Sequence, residues 1–498
     1  MGSATPLAAS STVRDFVEQR ARQSPDAPYV LDARSERLVT FEQLANSAAR
    51  WRTWCASRHD TRVGLLVRDP LEFTNAFIGL LSGGAWVAPL DPTVELAGGD
   101  QLARWMSTLH LTHVVADRPA PPGSTIAWTT LTQMRETPGA PDAVSDDIAP
   151  GGVLLASSGT TGTPKVMALG DAQLLHAARL VAEHNRLDEH ERGFNPLPLW
   201  HINAEVVGLL ASLVAGASLV LDERFHRTDF WEVIERQGVT WINAVPAIIS
   251  RLADLRDGES VSRRVRFIRS ASAPLSPALL ARFEATTGVR VVESYGMTEA
   301  ASQICVNPLE GERRAGSVGR GIGVEVRVTG DGGEINTIGQ VEIRGPSVIE
   351  RYESAEYASR FSGGWLATGD LGYLDSDGYL FLVGRIDDVI NRGGEKIFPR
   401  EIEEAALKVA SVTGAAVVGE ADDVFGQVPV LYVESDVADD ASLESVLGEL
   451  RFALTSELSR VRRPVEIRVV DALPRHATGK LQKRNLDGAI VTRVESLR

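Results

Sequence analysis

Short apolar runs alternate with helical patterns along the first three hundred residues, and this alternation restricts the possible folds strongly. Residues 63–68 and 85–90 are apolar runs of strand length, and residues 71–81 between them place apolar side chains at helical spacing. A strand, a helix and a second strand in this order form a βαβ unit. The same alternation returns at 218–221, 230–237, 241–245, 278–287 and 289–293. The sequence therefore predicts an α/β fold whose large N-terminal domain contains stacked α/β subdomains.

The pattern changes twice after residue 316. Alternating runs separated by glycines predict a small β-rich subdomain over residues 316–383. Beyond residue 385, two helical and two strand patterns indicate a compact α+β domain; they occupy 399–409, 415–419, 428–434 and 443–458. Because 498 residues exceed what a single core normally holds, we expect two domains, 1–385 and 386–498. The Pro-rich stretch 119–150 is interpreted as a surface connection without chemistry.

Charge and cysteine content exclude several classes of protein. A formal net charge of −15 disfavours nonspecific nucleic-acid binding, which depends on Lys and Arg neutralising phosphates. Two cysteines, Cys55 and Cys305, are too few for a disulfide framework or a metal cluster, which fits a reducing compartment such as the cytoplasm. The apolar run 206–221 is short and interrupted by Gly and Ser, so it predicts a buried helix followed by a strand. We expect no nucleic-acid partner, no membrane association and no targeting signal.

A nine-residue segment that follows an apolar run has the composition of a phosphate-binding loop. Residues 157–165 read SSGTTGTPK, with glycines, hydroxyl side chains and one lysine in close succession. Glycines let the backbone approach an anion, hydroxyls donate hydrogen bonds and lysine adds a positive charge. The register is not that of the Walker loop, because only two residues separate its glycines. A solvated Ser/Gly-rich linker is the alternative interpretation. The candidate phosphate-binding residues are Ser157, Ser158, Gly159, Thr160, Thr161, Gly162 and Lys165.

Four further motifs follow this loop along the chain. They are ESYGMTE at 293–299, TGD at 368–370, GRIDD at 384–388 with a continuation to Glu403, and the segment 473–481 that ends in GKL. In this order the five motifs resemble the adenylate-forming superfamily, which contains acyl-CoA synthetases, peptide-synthetase adenylation domains and luciferases. The resemblance spans nearly the whole chain, and the segments 267–272 and 391–396 look like its small-acid, oxalyl-CoA synthetase branch. It implies that residues 1–385 bind ATP and an acid, and that residues 386–498 form a mobile C-terminal domain.

The resemblance implies a role for each nucleotide-site motif. The loop would close on the β- and γ-phosphates of ATP, Tyr295 would stack on adenine and Thr298 would bind the α-phosphate. Glu299 would ligate Mg²⁺, an ion that prefers carboxylate oxygens. Asp370 would accept hydrogen bonds from the ribose hydroxyls, assisted by Arg385. Taken singly, each motif also fits an ordinary surface turn. The segments bordering adenine would be Ser272, Ala273 and Pro274 together with Gly296 and Met297.

The C-terminal motifs imply the two half-reactions of the superfamily. Lys480 would bridge the acid oxygen and the α-phosphate, where its charge stabilises the transition state. Asp387 matches the hinge about which the C-terminal domain rotates between half-reactions. The segment after it would line the tunnel for the CoA pantetheine, and its residues are Gly393, Gly394, Glu395 and Lys396. A solvated lysine and a loop before a helix are the corresponding alternatives for Lys480 and the tunnel segment.

The residues that would face the acid depart from a fatty-acid pattern. The resemblance assigns His201 to the gate that contacts the carboxylate, and the neighbouring pocket positions are Asn203, Glu205, Trp241, Asn243 and Ser270. Glu205 either faces the pocket, where it would meet an amine or a hydroxyl, or points to solvent. The set favours a small polar or aromatic acid. Oxalate is not assigned, because a dicarboxylate needs cationic partners and neither Trp200 nor Glu205 is one.

These observations favour an ATP- and Mg²⁺-dependent acid:CoA ligase that makes an acyl adenylate and then a thioester. One alternative passes the adenylate to an amine or to a carrier-protein thiol in trans, or activates nitrite for diazotisation. A second is a nucleotide-binding regulatory protein that has lost catalysis, which would be expected to lack Lys480 or Glu299; both are present. We expect a monomer or a homodimer.

Overall fold

The computed structural model describes residues 11–58, 61–93, 100–136, 148–157, 164–330, 336–435, 437, 439–475 and 481–497. Within these ranges the strands form four sheets. The first sheet has the strand order β6-β5-β3-β4-β7-β8, and it is parallel except for the antiparallel pair β7–β8. Its strands are β3 (Arg62–Leu66), β4 (Trp86–Pro89), β5 (His113–Ala116), β6 (Ala127–Thr130), β7 (Gly152–Ser157) and β8 (Lys165–Gly170).

The second sheet is the largest and carries most of the candidate site. Its order is β15-β14-β13-β12-β11-β9-β10-β1-β2, and the strands from β1 to β13 along this path run parallel. The strands are β1 (Pro28–Asp32), β2 (Leu38–Thr40), β9 (Arg192–Asn195), β10 (Ser218–Leu221), β11 (Trp241–Ala244), β12 (Phe267–Ser270), β13 (Arg290–Tyr295), β14 (Cys305–Val306) and β15 (Arg320–Gly321).

Two further sheets complete the described chain. An antiparallel sheet contains β16 (Glu325–Thr329), β17 (Gly339–Arg344), β18 (Phe361–Ser362), β19 (Trp365–Leu374) and β20 (Leu380–Arg385). The last sheet contains β21 (Ile390–Arg392), β22 (Glu395–Ile397), β23 (Val412–Asp422), β24 (Gly426–Ser435), β25 (Glu466–Val470) and β26 (Val491–Ser496). One large apolar core spans the sheets up to β20, a smaller one lies in the first sheet, and two further cores lie in the last sheet.

Helices cover the sheets and begin at recognisable caps. Asp69 accepts hydrogen bonds from the first turn of α3, and Pro70 follows it at the first helical position. The α-helices are α1 (Val13–Gln23), α2 (Phe41–Ala56), α3 (Pro70–Ser82), α4 (Asp100–Thr108), α5 (Leu131–Glu136), α6 (Asp171–Asn185), α7 (Ala211–Ala215), α8 (Phe230–Arg236), α9 (Pro246–Leu252), α10 (Pro277–Thr287), α11 (Pro399–Ala406) and α12 (Asp440–Glu457). A π-helix, Ala204–Leu210, runs directly into α7.

The predicted α/β class, the β-rich part and the α+β C-terminal part are confirmed. The predicted boundary at 385 falls between β20 and β21, although as a division of function it stays a prediction. The apolar run 206–221 is a buried helical segment followed by β10, as expected. Across the described ranges, no helix is both long and apolar enough to cross a membrane.

The interpretation of 119–150 as a mere connection is wrong. It contains β6, which closes one edge of the first sheet, and α5 behind it. The strand is held by a side-chain hydrogen bond of 2.7 Å between buried His113 and Thr129, and by Trp128 Nε1, which donates to Arg118 O at 2.9 Å. The Pro and Gly residues around β6 obscured its strand pattern in the sequence. The strand is stabilised by its pairing with β5.

Asp171 at the start of α6 makes the stability of the protein dependent on pH. It is buried and accepts a hydrogen bond of 3.2 Å from Val13 N, and burial raises its pKa from 3.8 to about 7. As the pH rises, the carboxyl group of Asp171 loses its proton in the unfolded chain before it does so in the folded protein. The contribution of Asp171 to the free energy of unfolding therefore falls between about pH 4 and pH 7 and is level above that. We expect the wild type to lose about 3 kcal/mol relative to Asp171→Asn between pH 5 and pH 8. Urea unfolding of both proteins at the two pH values measures this difference, and an equal pH dependence would contradict it.

Candidate active site

A carboxylate held between a phenol and a guanidinium forms the centre of the site. Tyr295 ends β13, and its Oη donates to Asp370 Oδ2 at 2.5 Å. Asp370 on β19 pairs in register with Arg385 on β20, whose Nη1 lies 3.2 Å from Asp370 Oδ1. Gly369 has a φ of +83°, and a Cβ there would lie 3.0 Å from Arg385 Nη2. The structure therefore brings together three of the predicted nucleotide residues, with glycine required beside them.

The charges of this group are fixed by its surroundings. Burial and then the charge of Asp370 raise the pKa of Tyr295, so its phenol stays a hydrogen-bond donor. Burial alone would lower the pKa of Arg385, but the carboxylate of Asp370 and the other negative groups outweigh it and the pKa is raised. The Arg385 guanidinium therefore keeps its charge at neutral pH beside Asp370, whose carboxyl oxygens have lone pairs for hydroxyl donors.

A second buried carboxylate lies at the turn after β13. Glu299 is part of a 3₁₀ turn, Thr298–Ala300, and accepts a hydrogen bond of 2.8 Å from Tyr352 Oη. Across the described ranges, no group of three or more His, Cys, Asp or Glu side chains could hold a metal ion. A lone carboxylate fits Mg²⁺, which commonly takes one or two carboxylates and completes its shell with substrate phosphates and water.

Lys165 is the described end of the predicted phosphate loop. It begins β8 opposite Ser157 of β7, is buried, and lies 5.1 Å from the ring centroid of Tyr357. Burial and then the neighbouring cation of Arg360 lower its pKa, while Glu299 opposes that shift. Lys165 therefore belongs to the same charged cluster as Glu299. Five loop residues and the predicted catalytic lysine lie outside the described residues, and their positions stay predictions: Ser158, Gly159, Thr160, Thr161, Gly162 and Lys480.

The sequence reasoning did not identify the segment 352–360, which supplies Tyr352, Tyr357 and Arg360 to this cluster. The segment ends in a 3₁₀ helix, Ala355–Arg360, and Arg360 Nη1 donates to Thr368 O at 3.4 Å. A short 3₁₀ helix has no apolar period that would separate it from the surrounding strands. The pairing of aromatic residues with a basic residue was the only available signal.

The segments predicted to border adenine lie at strand ends, as their motifs require. A Cβ on Gly296 would lie 2.0 Å from Ser302 O, so only glycine fits between Tyr295 and the following turn. Met297 precedes the 3₁₀ turn that carries Thr298. Ser272, beside Ala273 and Pro274 in the loop after β12, has a φ of +72°.

The hinge and tunnel candidates lie on the C-terminal side of β20. Asp387 lies in an exposed 3₁₀ turn, Ile386–Asp388. Gly393 and Gly394, with φ values of +59° and +95°, form the two-residue turn between β21 and β22, and exposed Glu395 and Lys396 follow. Both assignments stay predictions.

Two of the acid-pocket candidates belong to a buried row of polar side chains, Asn195, Asn203 and Asn243, which we call the polar row. Ser270 lies apart from it. Asn243 Nδ2 donates to Asn195 Oδ1 at 2.9 Å and to Asn203 Oδ1 at 2.8 Å. Asn203 directly precedes the π-helix and lies two residues after His201, whose carbonyl accepts from Ala204 N at 2.9 Å. Trp241 lies two residues from Asn243 and so on the same face of the sheet, where its ring stacks on Phe267. Buried Ser270 directly follows Arg269, so the two side chains point to opposite faces.

Glu205 does not point to solvent. It is fully buried, and its two carboxyl oxygens have no hydrogen-bond partner among the described residues. Burial raises the pKa of Glu205 well above its ordinary value, because desolvation disfavours the charged form of the carboxyl group. The alternative in which Glu205 faces solvent is therefore wrong, whereas its proposed contact with the acid substrate stays a prediction.

Comparison with known proteins gives a consistent result over nearly the whole chain. Residues 17–353 match the family described as AMP-binding enzyme, and residues 401–480 match its C-terminal domain. The sulfoacetate–CoA ligase of Cupriavidus necator is 35% identical over 98% of this chain and 99% of its own. The oxalate–CoA ligase of Arabidopsis thaliana is 36% identical over 67% of this chain and 66% of its own.

A solved structure shares the fold. The o-succinylbenzoate CoA synthetase of Bacillus subtilis, in complex with its acyl-adenylate intermediate, superposes with a TM-score of 0.83 at 27% identity, covering 96% of this chain and 99% of that one. The same enzyme in complex with ATP and magnesium ion gives a TM-score of 0.82. The candidate segments therefore lie on a fold that is shared with an enzyme solved in complex with an acyl-adenylate.

Proposed function

The chain belongs to the family of AMP-binding enzymes, and from this premise we propose that it is an AMP-forming acid:CoA ligase for small acids. In the first half-reaction a carboxylate oxygen of the acid attacks the α-phosphorus of ATP, and pyrophosphate leaves. In the second, the CoA sulfur attacks the acyl carbon, AMP leaves and the thiol proton is released. The arrangement of Asp370 between Tyr295 and Arg385 is the observation that carries this proposal, because it offers a charged acceptor to paired hydroxyls beside an aromatic ring.

ATP would lie across the cluster formed by the ends of β13, β19 and β8. Asp370 would accept from the ribose hydroxyls, and Tyr295 would pack against adenine with Gly296 allowing the close approach. Lys165, with the loop before it, would bind the β- and γ-phosphates, and Thr298 would donate to the α-phosphate. The roles rest on charge and position: a buried ammonium and a buried carboxylate both face the region that phosphates and their cation would occupy.

Glu299 is the proposed magnesium ligand, and the ion would supply charge neutralisation to the phosphates. In Glu299→Gln the amide oxygen still accepts from Tyr352, but the negative charge is gone. We expect the Mg²⁺ concentration for half-maximal pyrophosphate release to rise about 10–100-fold. The exposed pair Arg186 and Glu310 offers a control, since Glu310→Gln should leave that concentration unchanged. An unchanged Mg²⁺ dependence of Glu299→Gln would exclude the assignment.

The second half-reaction would use the C-terminal part of the chain. We assign Asp387 to the hinge, and the turn of Gly393 and Gly394 to the wall of a CoA tunnel where absent side chains leave space for a thin thiol chain. Lys480 would act in the first half-reaction, and His201 would contact the acid. CoA is the favoured acceptor because the similar enzymes above are CoA ligases.

Transfer to an amine or to a carrier protein in trans, or activation of nitrite, would keep the same first half-reaction. A monomer or homodimer fits either case.

Cys55 and Cys305 are both free and buried, which supports a reducing compartment and hence our proposal of a cytoplasmic enzyme.

Pyrophosphate release tests the proposal. The panel contains small aliphatic, dicarboxylic, aromatic and amino-substituted aromatic acids together with nitrite, each with and without CoA. We expect multiple turnovers only with CoA, with a thioester as product. Sustained turnover without CoA would contradict the ligase assignment and favour an amine, a carrier thiol or nitrite chemistry.

A further inference from the structure

We infer that the acid substrate carries a second anionic group and that Arg269 binds it at the buried end of the acid pocket. The inference rests on the proposed function, which it makes more specific, and it concerns a residue that the sequence reasoning passed over. Arg269 lies on β12 in the middle of the largest sheet and is fully buried.

Arg269 is a buried cation that forms no ion pair with an acidic side chain among the described residues. Its Nη2 donates to the neutral side chain of Gln303, while Nε and Nη1 have no partner among the described residues. Burial lowers its pKa to about 10, which still leaves the guanidinium protonated at pH 7. A buried charge with free donors is costly unless another group satisfies it. An anionic ligand would supply the missing partner.

The neighbouring titratable groups do not neutralise this charge. Burial lowers the pKa of His184, which bonds to Asn185 and to the carbonyl of Asn307 and is neutral at pH 7. Both carboxyl oxygens of Glu205 lack a hydrogen-bond partner among the described residues, so Glu205 does not pair with Arg269. Among the described residues, the charge of Arg269 is therefore left without an ionic partner.

Arg269 lies between the residues assigned to the acid pocket and the residues assigned to the nucleotide site. In the sheet register Asn243 faces Arg269 on the adjoining strand, and Asn243 bonds to Asn203 beside the gate residue His201. On the other side Gln303 directly precedes Ile304, whose N–H donates to Tyr295 O at 2.9 Å. An acid whose reacting carboxylate lies near the α-phosphate would extend toward this row.

The side chains around Arg269 offer hydrogen-bond donors in addition to its guanidinium. Asn203 Nδ2 and Gln303 Nε2 are buried and lack partners among the described residues, as do two donors of Arg269. Several N–H groups around a fixed positive charge suit a carboxylate or a sulfonate better than an amine or an alkyl chain. The earlier objection to a dianionic acid, that no cationic partner was available, is removed by Arg269.

Matched pairs of acids separate charge from size. Sulfoacetate is compared with methylsulfonylacetate, malonate with malonamate, and succinate with succinamate; within each pair the shape is similar and only the distal charge is lost. For the wild type we expect acid-dependent pyrophosphate release with a kcat/KM at least about 100-fold higher for the charged member of the preferred pair. A preference for the neutral member would overturn the inference.

Arg269→Met tests whether this residue carries the preference. It should lower kcat/KM for the charged acid about 100-fold, leave the neutral acid within about threefold, and keep the KM for ATP. Arg269→Lys retains the charge and should keep part of the preference for the charged acid. It serves as the test if Arg269→Met folds poorly. Arg192 on β9 provides the control: it is partly buried, whereas Arg269 is fully buried, and it bonds to Ser218 and to the Gln237 carbonyl at the opposite end of the strands. An equal loss for both acids in Arg269→Met and Arg269→Lys would show a merely structural role and overturn the inference.

A binding measurement keeps this test independent of turnover. Thermal protection by each acid is measured in the presence of α,β-methylene-ATP. We expect protection by the charged acid in the wild type and its loss in Arg269→Met. Binding of this kind without any pyrophosphate release would refute the proposed function while upholding the anion site, whereas equal protection by both members of every pair would refute the anion site.

Discussion

Replacing Lys480 with alanine is expected to lower the rate of acyl-adenylate formation by about 10²–10³-fold. The resemblance places this ammonium between the acid oxygen and the α-phosphate, where negative charge develops as the new bond forms. An interaction made mainly in the transition state affects kcat more than substrate binding. We therefore expect ATP affinity to change by less than about threefold. Acid-dependent exchange of labelled pyrophosphate into ATP measures the rate, and equilibrium titration measures the affinity.

The chain offers a matched control for this substitution. Lys408 is also a lysine of the C-terminal part, and its ammonium pairs with Glu457 on the surface, 2.5 Å from Oε2. Exposed ion pairs contribute little, so Lys408→Ala should exchange pyrophosphate at the wild-type rate. If Lys480→Ala also exchanged at the wild-type rate, Lys480 would have no part in adenylation.

Asp370→Asn is expected to raise the KM for ATP about 100-fold. The carboxylate accepts from Tyr295 and lies against Arg385, and we propose that its lone pairs also accept from the ribose hydroxyls. An amide removes the charge and replaces one acceptor oxygen with a donor, so at least one charge-assisted hydrogen bond to the nucleotide is lost. Initial rates over a range of ATP concentrations measure the effect.

Asp377 controls for a general effect of removing an acid from the same sheet. It lies in the turn between β19 and β20 and pairs with Arg314 at an exposed position. Asp377→Asn should leave the KM for ATP unchanged. A wild-type KM in Asp370→Asn would remove Asp370 from the ribose site, and a raised KM in both variants would point to damage to the sheet.

The helices and strands that have a clear apolar pattern could be predicted from the sequence. Apolar spacing over 71–81 anticipates α3, and the apolar run over 428–434 anticipates the centre of β24, because both patterns mark side chains that the fold buries. β6 could not be found in this way, because a short edge strand among Pro and Gly residues is stabilised by its neighbour and not by its own pattern.

The candidate site shows the same limit. Motifs that combine glycine with polar residues, such as the one ending in Asp370, mark positions where the backbone itself is constrained. Arg269 has no such marker: in the short strand β12 it differs from a surface arginine only through its complete burial. The charge state of Glu205 likewise depends on its surroundings, since the same carboxyl at the surface would be ionised.

A single-turnover experiment tests the central claim most directly. Enzyme in excess over a preferred acid is mixed with ATP and Mg²⁺ without CoA, quenched and analysed by mass spectrometry; a parallel sample receives CoA before quenching. We predict an acyl adenylate and an equal amount of pyrophosphate in the first sample, and a CoA thioester with AMP in the second. Formation of ADP and phosphate, or an adenylate that CoA does not consume, would contradict the assignment as an AMP-forming acid:CoA ligase.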